Sequence, residues 1–365
     1  MSMRARRLKK RARRSELDDA WSQAAKLYRS ALMADPGDAA SWYRLGRVLA
    51  KQKDWAASAF AIQSAIALRG GSASSYFHLG QSLQRAGAVS EARRAYQQSE
   101  AKHSVRPTIK GKPGELLRYQ ERLDLALMPK ASYAYLLFRG ASLAKRLGIP
   151  RITAVELGVA GGNGLLAMER HAATTEQMTG IGVDVYGFDT GEGLVAPKDN
   201  RDLPYRFAEG TFAMDVEALT ARLKRAELVL GDAVETFRAF MATEPAPLGA
   251  VSFDMDLYAP TQGVLMSMTD QADEARFLPR VPVYFDDVVG NRQQDYNVYT
   301  GELLAIEEFN QENPNTKLVE DRHFRTLPLN FDWHHSTYTM HRFDHPQYDT
   351  YIRKARPDSL ALRGR

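Results

Sequence analysis

The chain has 365 residues, of which 44% are hydrophobic and 25% charged, with a formal net charge of +5 and no cysteine. This is the composition of a core-forming protein of two or three domains at ~100–200 residues each, and it excludes disulfides, thiolate metal sites, iron–sulfur clusters and a cysteine nucleophile. No apolar run approaches the ~18–20 residues that cross a bilayer; the segment from Tyr133 to Phe138 is closed at once by Arg139.

The first fourteen residues hold eight Lys or Arg and no acid, and no apolar stretch follows them. Residues 1–14 therefore read as a basic N-terminal arm and not as a secretory signal, and cytoplasmic residence is the expectation. The arm carries +8, which leaves −3 for all other residues. Such an arm can touch nucleic acid or anionic lipid through counterion release. No aromatic residue interleaves with its charges for base stacking, so a solvated, partly helical segment is expected, with no nucleic-acid partner.

A repeat with a period of 34 residues follows: Trp42, Leu45, Gly46 and Leu49 recur as Tyr76, Leu79, Gly80 and Leu83. Ile62 and Ala65 likewise recur as Tyr96 and Ser99, and Tyr28, Ala31 and Pro36 fill the equivalent places one period earlier. The small residues Gly46 and Gly80 let paired helices approach, while aromatic and aliphatic residues fill the seam. These positions resemble the tetratricopeptide repeat. Ser58 stands where that repeat has alanine, and the helix before Tyr28 is mostly Arg and Lys, which blurs the first boundary. Residues 15–103 are assigned to this all-α region, which the resemblance marks as a surface for a protein partner. Residues 104–114, basic and rich in Pro and Gly, read as a linker. Helical patterning resumes with Leu116, Leu117, Leu123 and Leu127 and again from Tyr133 to Leu147.

Beyond Pro150 strands and helices alternate. Strands are expected at 152–157, 182–188, 228–230, 250–253 and 281–285, with gaps that suit helical crossovers between parallel strands. The expectation is an α/β domain, a doubly wound and mostly parallel sheet over residues 115–350, followed by a basic tail, 351–365.

Glycines cluster in Glu156-Leu157-Gly158-Val159-Ala160-Gly161-Gly162-Asn163-Gly164, between the first strand and a helix, where a turn without Cβ atoms admits nucleotide-like ligands. A dinucleotide frame, Gly162-x-Gly164-x-x-Ala167, starts five residues after the strand and leaves Glu156 unexplained. The second strand closes on Asp189, in Gly187-Phe188-Asp189-Thr190-Gly191-Glu192-Gly193-Leu194, where a carboxylate can accept from both ribose hydroxyls. The third closes on Asp232, which serves equally as a helix N-cap. The fourth and fifth are followed by Asp254-Met255-Asp256-Leu257-Tyr258 and by Asp286-Asp287. With strand period two, Asp254 and Asp256 are expected to point the same way. Carboxylates converging there repel one another unless a hard, oxygen-seeking cation such as Mg2+ lies between them.

In order and content these four segments resemble the class I S-adenosylmethionine-dependent methyltransferases, and in particular the macrocin O-methyltransferase branch, over roughly residues 133–348. The resemblance implies that Glu156, Gly158, Gly161, Gly162, Asn163, Asp189 and Asp232 bind S-adenosylmethionine. It further implies that Asp256, Asp286 and Asp287 hold Mg2+ beside the acceptor hydroxyl, with Asp254 and Asp256 catalytic. Ala160 replaces a motif glycine. Glu209-Gly210-Thr211-Phe212 resembles a loop that covers the site in that branch. The mid-domain histidine base of some members has no counterpart, since no histidine lies between His171 and His323. The C-terminal group His334, His335, His341 and His345 offers substitutes, His341 being taken as the catalytic candidate. The expected activity is Mg2+-assisted O-methylation of a sugar or glycosylated natural-product acceptor. Two other classes stay open: a tetratricopeptide scaffold with a vestigial nucleotide-binding domain, and an NAD-dependent oxidoreductase. Oligomeric state is left open, a homo-oligomer included.

Overall fold

The structure is a computed structural model that describes residues 3–102, 123, 128–269, 274–290, 295–326 and 331–352. These form two compact units, residues 3–102 and the described residues from 123 onward. The expected linker at 104–114, the leucines at 116, 117 and 127, and nearly all of the basic tail lie outside the described residues.

Among the described residues, the first unit consists of helices packed in consecutive pairs: α1 (Met3–Leu17) with α2 (Trp21–Ala34), α3 (Ala39–Lys51) with α4 (Trp55–Arg69), and α5 (Ala73–Arg85) with α6 (Val89–Ala101). Side-chain caps start three of them: Asp38, Asp54 and Ser72 accept from Ser41 N, Ala57 N and Ser75 N. The repeat glycines sit where helices touch. A Cβ on Gly46 would lie 2.5 Å from Ile62, and one on Gly80 would lie 2.8 Å from the Tyr96 ring. Ser58 replaces alanine for a reason that now has a geometry: its Oγ lies 2.8 Å from both Gly46 O and Ser82 Oγ. The basic arm is no separate arm. It is most of α1, which buries Ala5 and Ala12 and is tied to the next pair by Lys9–Asp38 at 2.6 Å and Arg44–Glu16 at 2.9 Å. The boundary expected after residue 14 thus falls inside a helix.

The second unit is a doubly wound seven-stranded sheet of order β3-β2-β1-β4-β5-β7-β6, parallel except for β7, which runs antiparallel to β5 and β6. Its strands are β1 (Arg151–Leu157), β2 (Gly182–Asp189), β3 (Glu227–Leu230), β4 (Leu248–Phe253), β5 (Arg280–Phe285), β6 (Thr316–Glu320) and β7 (Thr337–Arg342). The helices are α7 (Ala131–Leu147), α8 (Asn163–Thr179), the single turn α9 (Val216–Thr220), α10 (Ala233–Ala242), α11 (Tyr258–Thr269), α12 (Gly301–Glu312) and the short α13 (Asp332–His335). One layer joins α7 and α8 against the central strands; another joins α10, α11 and α12. β1 and β4 are buried along nearly their whole length, as expected of parallel strands covered on both faces. The core runs through Ile152, Val155, Val183, Phe188, Val251, Phe253, Val283 and Phe285. Because β1, β2, β3, β4 and β5 are parallel, their carboxyl ends share one edge, and the candidate acids leave from that edge.

Candidate active site

The turn after β1 is left-handed at Gly158 (φ +85°), Ala160 (φ 45°) and Gly162 (φ +78°). A Cβ on Gly158 would stand 1.9 Å from the carbonyl oxygen of Asp254, so this glycine lets the turn rest on the segment leaving β4. Asp189, the last residue of β2, holds the turn from below. Its Oδ2 accepts from Val159 N (2.8 Å) and Ala160 N (3.0 Å), and its Oδ1 accepts from Gly191 N (2.7 Å). A carboxylate has about four acceptor positions. Three backbone donors leave roughly one for a ligand, not the two that a pair of ribose hydroxyls asks for. Asp232 is the N-cap of α10, accepting from Val234 N and Glu235 N, and also lines the cavity described below.

Glu156 lies beneath this turn, 1% exposed. Tyr133, from α7, donates to its Oε1 at 2.6 Å, and its Oε2 is buried without a hydrogen-bond partner. Burial and, after it, the charge of Asp254 push its carboxyl up to about 8. Gly164 is glycine because a Cβ there would sit 1.8 Å from Glu156 Oε1. The late glycine frame, from Gly162 to Ala167, accordingly belongs to the start of α8 over a buried carboxyl. Glu156, Gly161, Gly162 and Asn163 do not line the cavity, whereas Gly158 and Ala160 do. Gly162 is covered by Leu219 of α9.

A cavity of about 600 Å3 opens at the carboxyl edge and is bounded by Gly158, Asp189 and Asp232 on one side and by Asp254, Asp256, Asp286 and Asp287 on the other. That volume is in the range of small-molecule sites. Leu194, Val195 and Phe212 contribute apolar wall. Phe212 belongs to the loop singled out at 209–212, which pairs with Leu194 through Leu194 N to Thr211 O and Gly210 N to Leu194 O.

Asp254, Asp286 and Asp287 each offer one carboxylate oxygen within 4.8 Å of the others, the span that an ion with oxygen ligands at about 2.1–2.6 Å brings together. Asp256 is not in this cluster. The expectation that Asp254 and Asp256 point alike fails because β4 ends at Phe253 and Asp256 is left-handed, φ 60°, so the alternation of a strand no longer applies. Asp254 takes the place expected of Asp256 beside Asp286 and Asp287. Burial, with Asp286 and Asp287 nearby, lifts the Asp254 carboxyl to about 8; burial and Asp254 lift Asp256 to about 7. Asp287 is raised well above the usual carboxylate range by burial and by Asp256, and its Oδ2 is buried with no hydrogen-bond partner. These carboxyls crowd without enough cations among them.

Several residues escaped the sequence reading. Glu302, fully buried in the first turn of α12, accepts from Asp287 N (3.1 Å) and Met255 N (3.4 Å), and burial followed by Asp287 raises its pKa. Tyr284 donates to Asp286 Oδ1 at 2.7 Å. Arg206 lines the cavity while pairing with Asp295 (3.1 Å) and donating to Tyr296 (3.0 Å). Asp202, 1% exposed, accepts from Lys198 N and Ala259 N at 2.8 Å each, which pins the loop after β2 to α11. Of these, only Asp202 had a cue in the sequence, the charged run Lys198-Asp199-Asn200-Arg201-Asp202.

None of the C-terminal histidines lines the cavity. His341 faces Arg280, the first residue of β5, whereas Asp286 follows the last. At ~3.3 Å per residue the strand separates the two by about 17–20 Å, and His341 bonds instead to Tyr348 Oη at 2.7 Å. The antiparallel course of β7 carries it to the opposite edge. His334 is stacked on Phe324, His345 bonds to Phe277 O, and His335 lies 3.6 Å from Glu320. His341 is therefore withdrawn as a catalytic candidate.

No protein-family model and no curated protein matches the chain. Solved structures do. The calicheamicin methyltransferase CalS11 is similar over 66% of this chain and 96% of its own, at 21% identity and a TM-score of 0.39. An apo form of that protein, described as a TDP-rhamnose 3'-O-methyltransferase, is similar over 66% and 99%, at 20% identity and a TM-score of 0.34. The first tetratricopeptide repeat of Spaghetti, bound to an HSP90 peptide, is similar over 34% and 95%, at 19% identity and a TM-score of 0.29.

Proposed function

We propose that the chain is an S-adenosylmethionine-dependent, Mg2+-assisted O-methyltransferase acting on a sugar hydroxyl of a glycosylated natural product or polysaccharide. One observation carries this reading: a single cavity joins the glycine turn, with Asp189 and Asp232, to a three-carboxylate cluster at the same sheet edge. The first side suits a nucleoside with an amino-acid tail, and the second suits a hard cation next to an acceptor. The orphaned Asp287 Oδ2 and the crowding of raised carboxyls fit the ion. Asp254, Asp286 and Asp287 would hold it, and when bound it lowers the pKa of an acceptor hydroxyl and orients it.

The methyl group of a sulfonium is already activated, so the protein's work is alignment and proton removal. Gly158 and Ala160 shape the floor of the cofactor side, Asp189 presents its remaining acceptor position there, and Phe212 with Leu194 excludes water. Asp256 lines the cavity outside the three-carboxylate cluster. From that position it would take the acceptor proton onto a carboxylate oxygen. Residues 115–350 hold this chemistry, and the repeats at 15–103 present a bulky or protein-bound acceptor.

Calorimetric titration tests the reading. S-adenosylmethionine is expected to bind and NAD is not. Binding of NAD alone would point to the oxidoreductase, and binding of neither to a scaffold. Turnover that survives exhaustive chelation would remove the metal from the mechanism.

A further inference from the structure

The two units differ in charge as well as in fold. Residues 1–102 hold nineteen Lys or Arg against eight Asp or Glu, a net of +11, while residues 103–365 hold thirty against thirty-six, a net of −6. The excess is concentrated on α1. Seven of the eight basic side chains between Arg4 and Arg14 are exposed, and the eighth, Lys9, is paired with Asp38. At about 100° per residue these seven fall across roughly half of the helix surface, opposite the Ala5, Leu8 and Ala12 stripe that packs into the first unit. Because that stripe is fixed, the basic half-cylinder has a set orientation and is ~22 Å long at 1.5 Å per residue.

Leu17 adds a second feature. It is 85% exposed, and its helical angle lies between those of Arg6 and Lys10, inside the basic arc. An apolar side chain set among Lys and Arg matches an interface between headgroups and acyl chains. It gains nothing against phosphates on a water-filled duplex. The other exposed side chains of α1 are Lys and Arg, which bind phosphates from either source, so Leu17 is what favours the lipid surface.

We propose that the outer face of α1 docks on an anionic lipid surface, with the cations on the headgroups and Leu17 at the acyl boundary. Co-sedimentation of the full chain with vesicles of phosphatidylcholine, alone or mixed equimolar with phosphatidylglycerol, tests it. Binding is expected to the acidic vesicles only and to weaken with salt, as the Debye length falls from about 10 Å at 0.1 M to about 3 Å at 1 M. Each cation near such a surface multiplies partition about fivefold. The variant combining Arg6→Gln, Lys10→Gln, Arg13→Gln and Arg14→Gln should therefore lose more than about a hundredfold, with helicity kept because glutamine is a good helix former. Leu17→Gln changes an exposed side chain and leaves the fold intact; it is expected to weaken vesicle binding several-fold and leave binding to a DNA duplex unchanged. The proposal is overturned by absent binding to acidic vesicles, by full binding of the fourfold variant, or by a duplex bound more tightly than vesicles with no effect of Leu17→Gln.

Discussion

The two units bury polar groups of different kinds, although Glu16 Oε1 and Tyr28 Oη in the first also lack hydrogen-bond partners. In the repeats the buried polar side chains include five serines, Ser41, Ser58, Ser75, Ser82 and Ser99, and each hydroxyl has a neighbour: Asp38, Gly46 O, Ser72 O, His78 O and Ala73 O. Such pairs cost little, and those between hydroxyls and backbone carbonyls are indifferent to pH. At the carboxyl edge of the sheet the buried polar groups are acids that meet other acids, with Glu156 Oε2 and Asp287 Oδ2 left without hydrogen bonds. Burial of that kind costs free energy, and a fold keeps it where a ligand relieves it. The repeats are made to pack; the sheet edge is made to be filled.

The contrast breaks most visibly at the three-carboxylate cluster. Asp286→Asn combined with Asp287→Asn should lower methyl transfer about a thousandfold, while affinity for S-adenosylmethionine, read by calorimetry, stays within a few-fold. Asp256→Asn should cost about a hundredfold in kcat. It should also remove the acid limb of the wild-type pH–rate profile, wherever that limb falls.

Stability sharpens the same contrast. Glu156 has a folded-state carboxyl near 8 against an ordinary 4.5, so the folded state holds a proton that the unfolded chain releases. The sign follows: its contribution is complete below about pH 4.5 and is lost as pH rises towards 8. Metal-free protein should therefore melt at lower temperature at pH 8 than at pH 5, and Glu156→Gln should lessen that dependence, leaving the share of Asp254 and Asp256. Mg2+ at a hundredfold excess over its Kd should restore about 2.7 kcal/mol at pH 8. In the repeats, Gly80→Ala should cost roughly 1–2 kcal/mol through contact with the Tyr96 ring, by the same amount at pH 5 and pH 8. A pH-dependent loss there would erase the distinction between the units.

Much of the sheet was legible because β1, β2, β4 and β5 are apolar runs buried on both faces, and their ends were placed within two residues. β6 was missed: Thr316–Glu320 lies at the sheet edge and alternates with charge, a pattern shared with loops. The cluster of acids was legible as a set, but not that Asp254 rather than Asp256 stands beside Asp286 and Asp287, since nothing in Asp254-Met255-Asp256 announces a left-handed turn at an aspartate. Glu302 was invisible for another reason. It acts on Met255 and Asp287 from a helix that follows both in the chain, and only the fold brings them together.

That carboxyl has a mechanical side. By accepting from the backbone of the segment after β4 and of the segment after β5, Glu302 yokes the two jaws of the acidic site to one helix end, next to Gly301 at φ +58°. The two segments share one anchor, so displacing the start of α12 would strain both together. A change at Gly301 should then act as a throttle on the whole site and not on one wall of it.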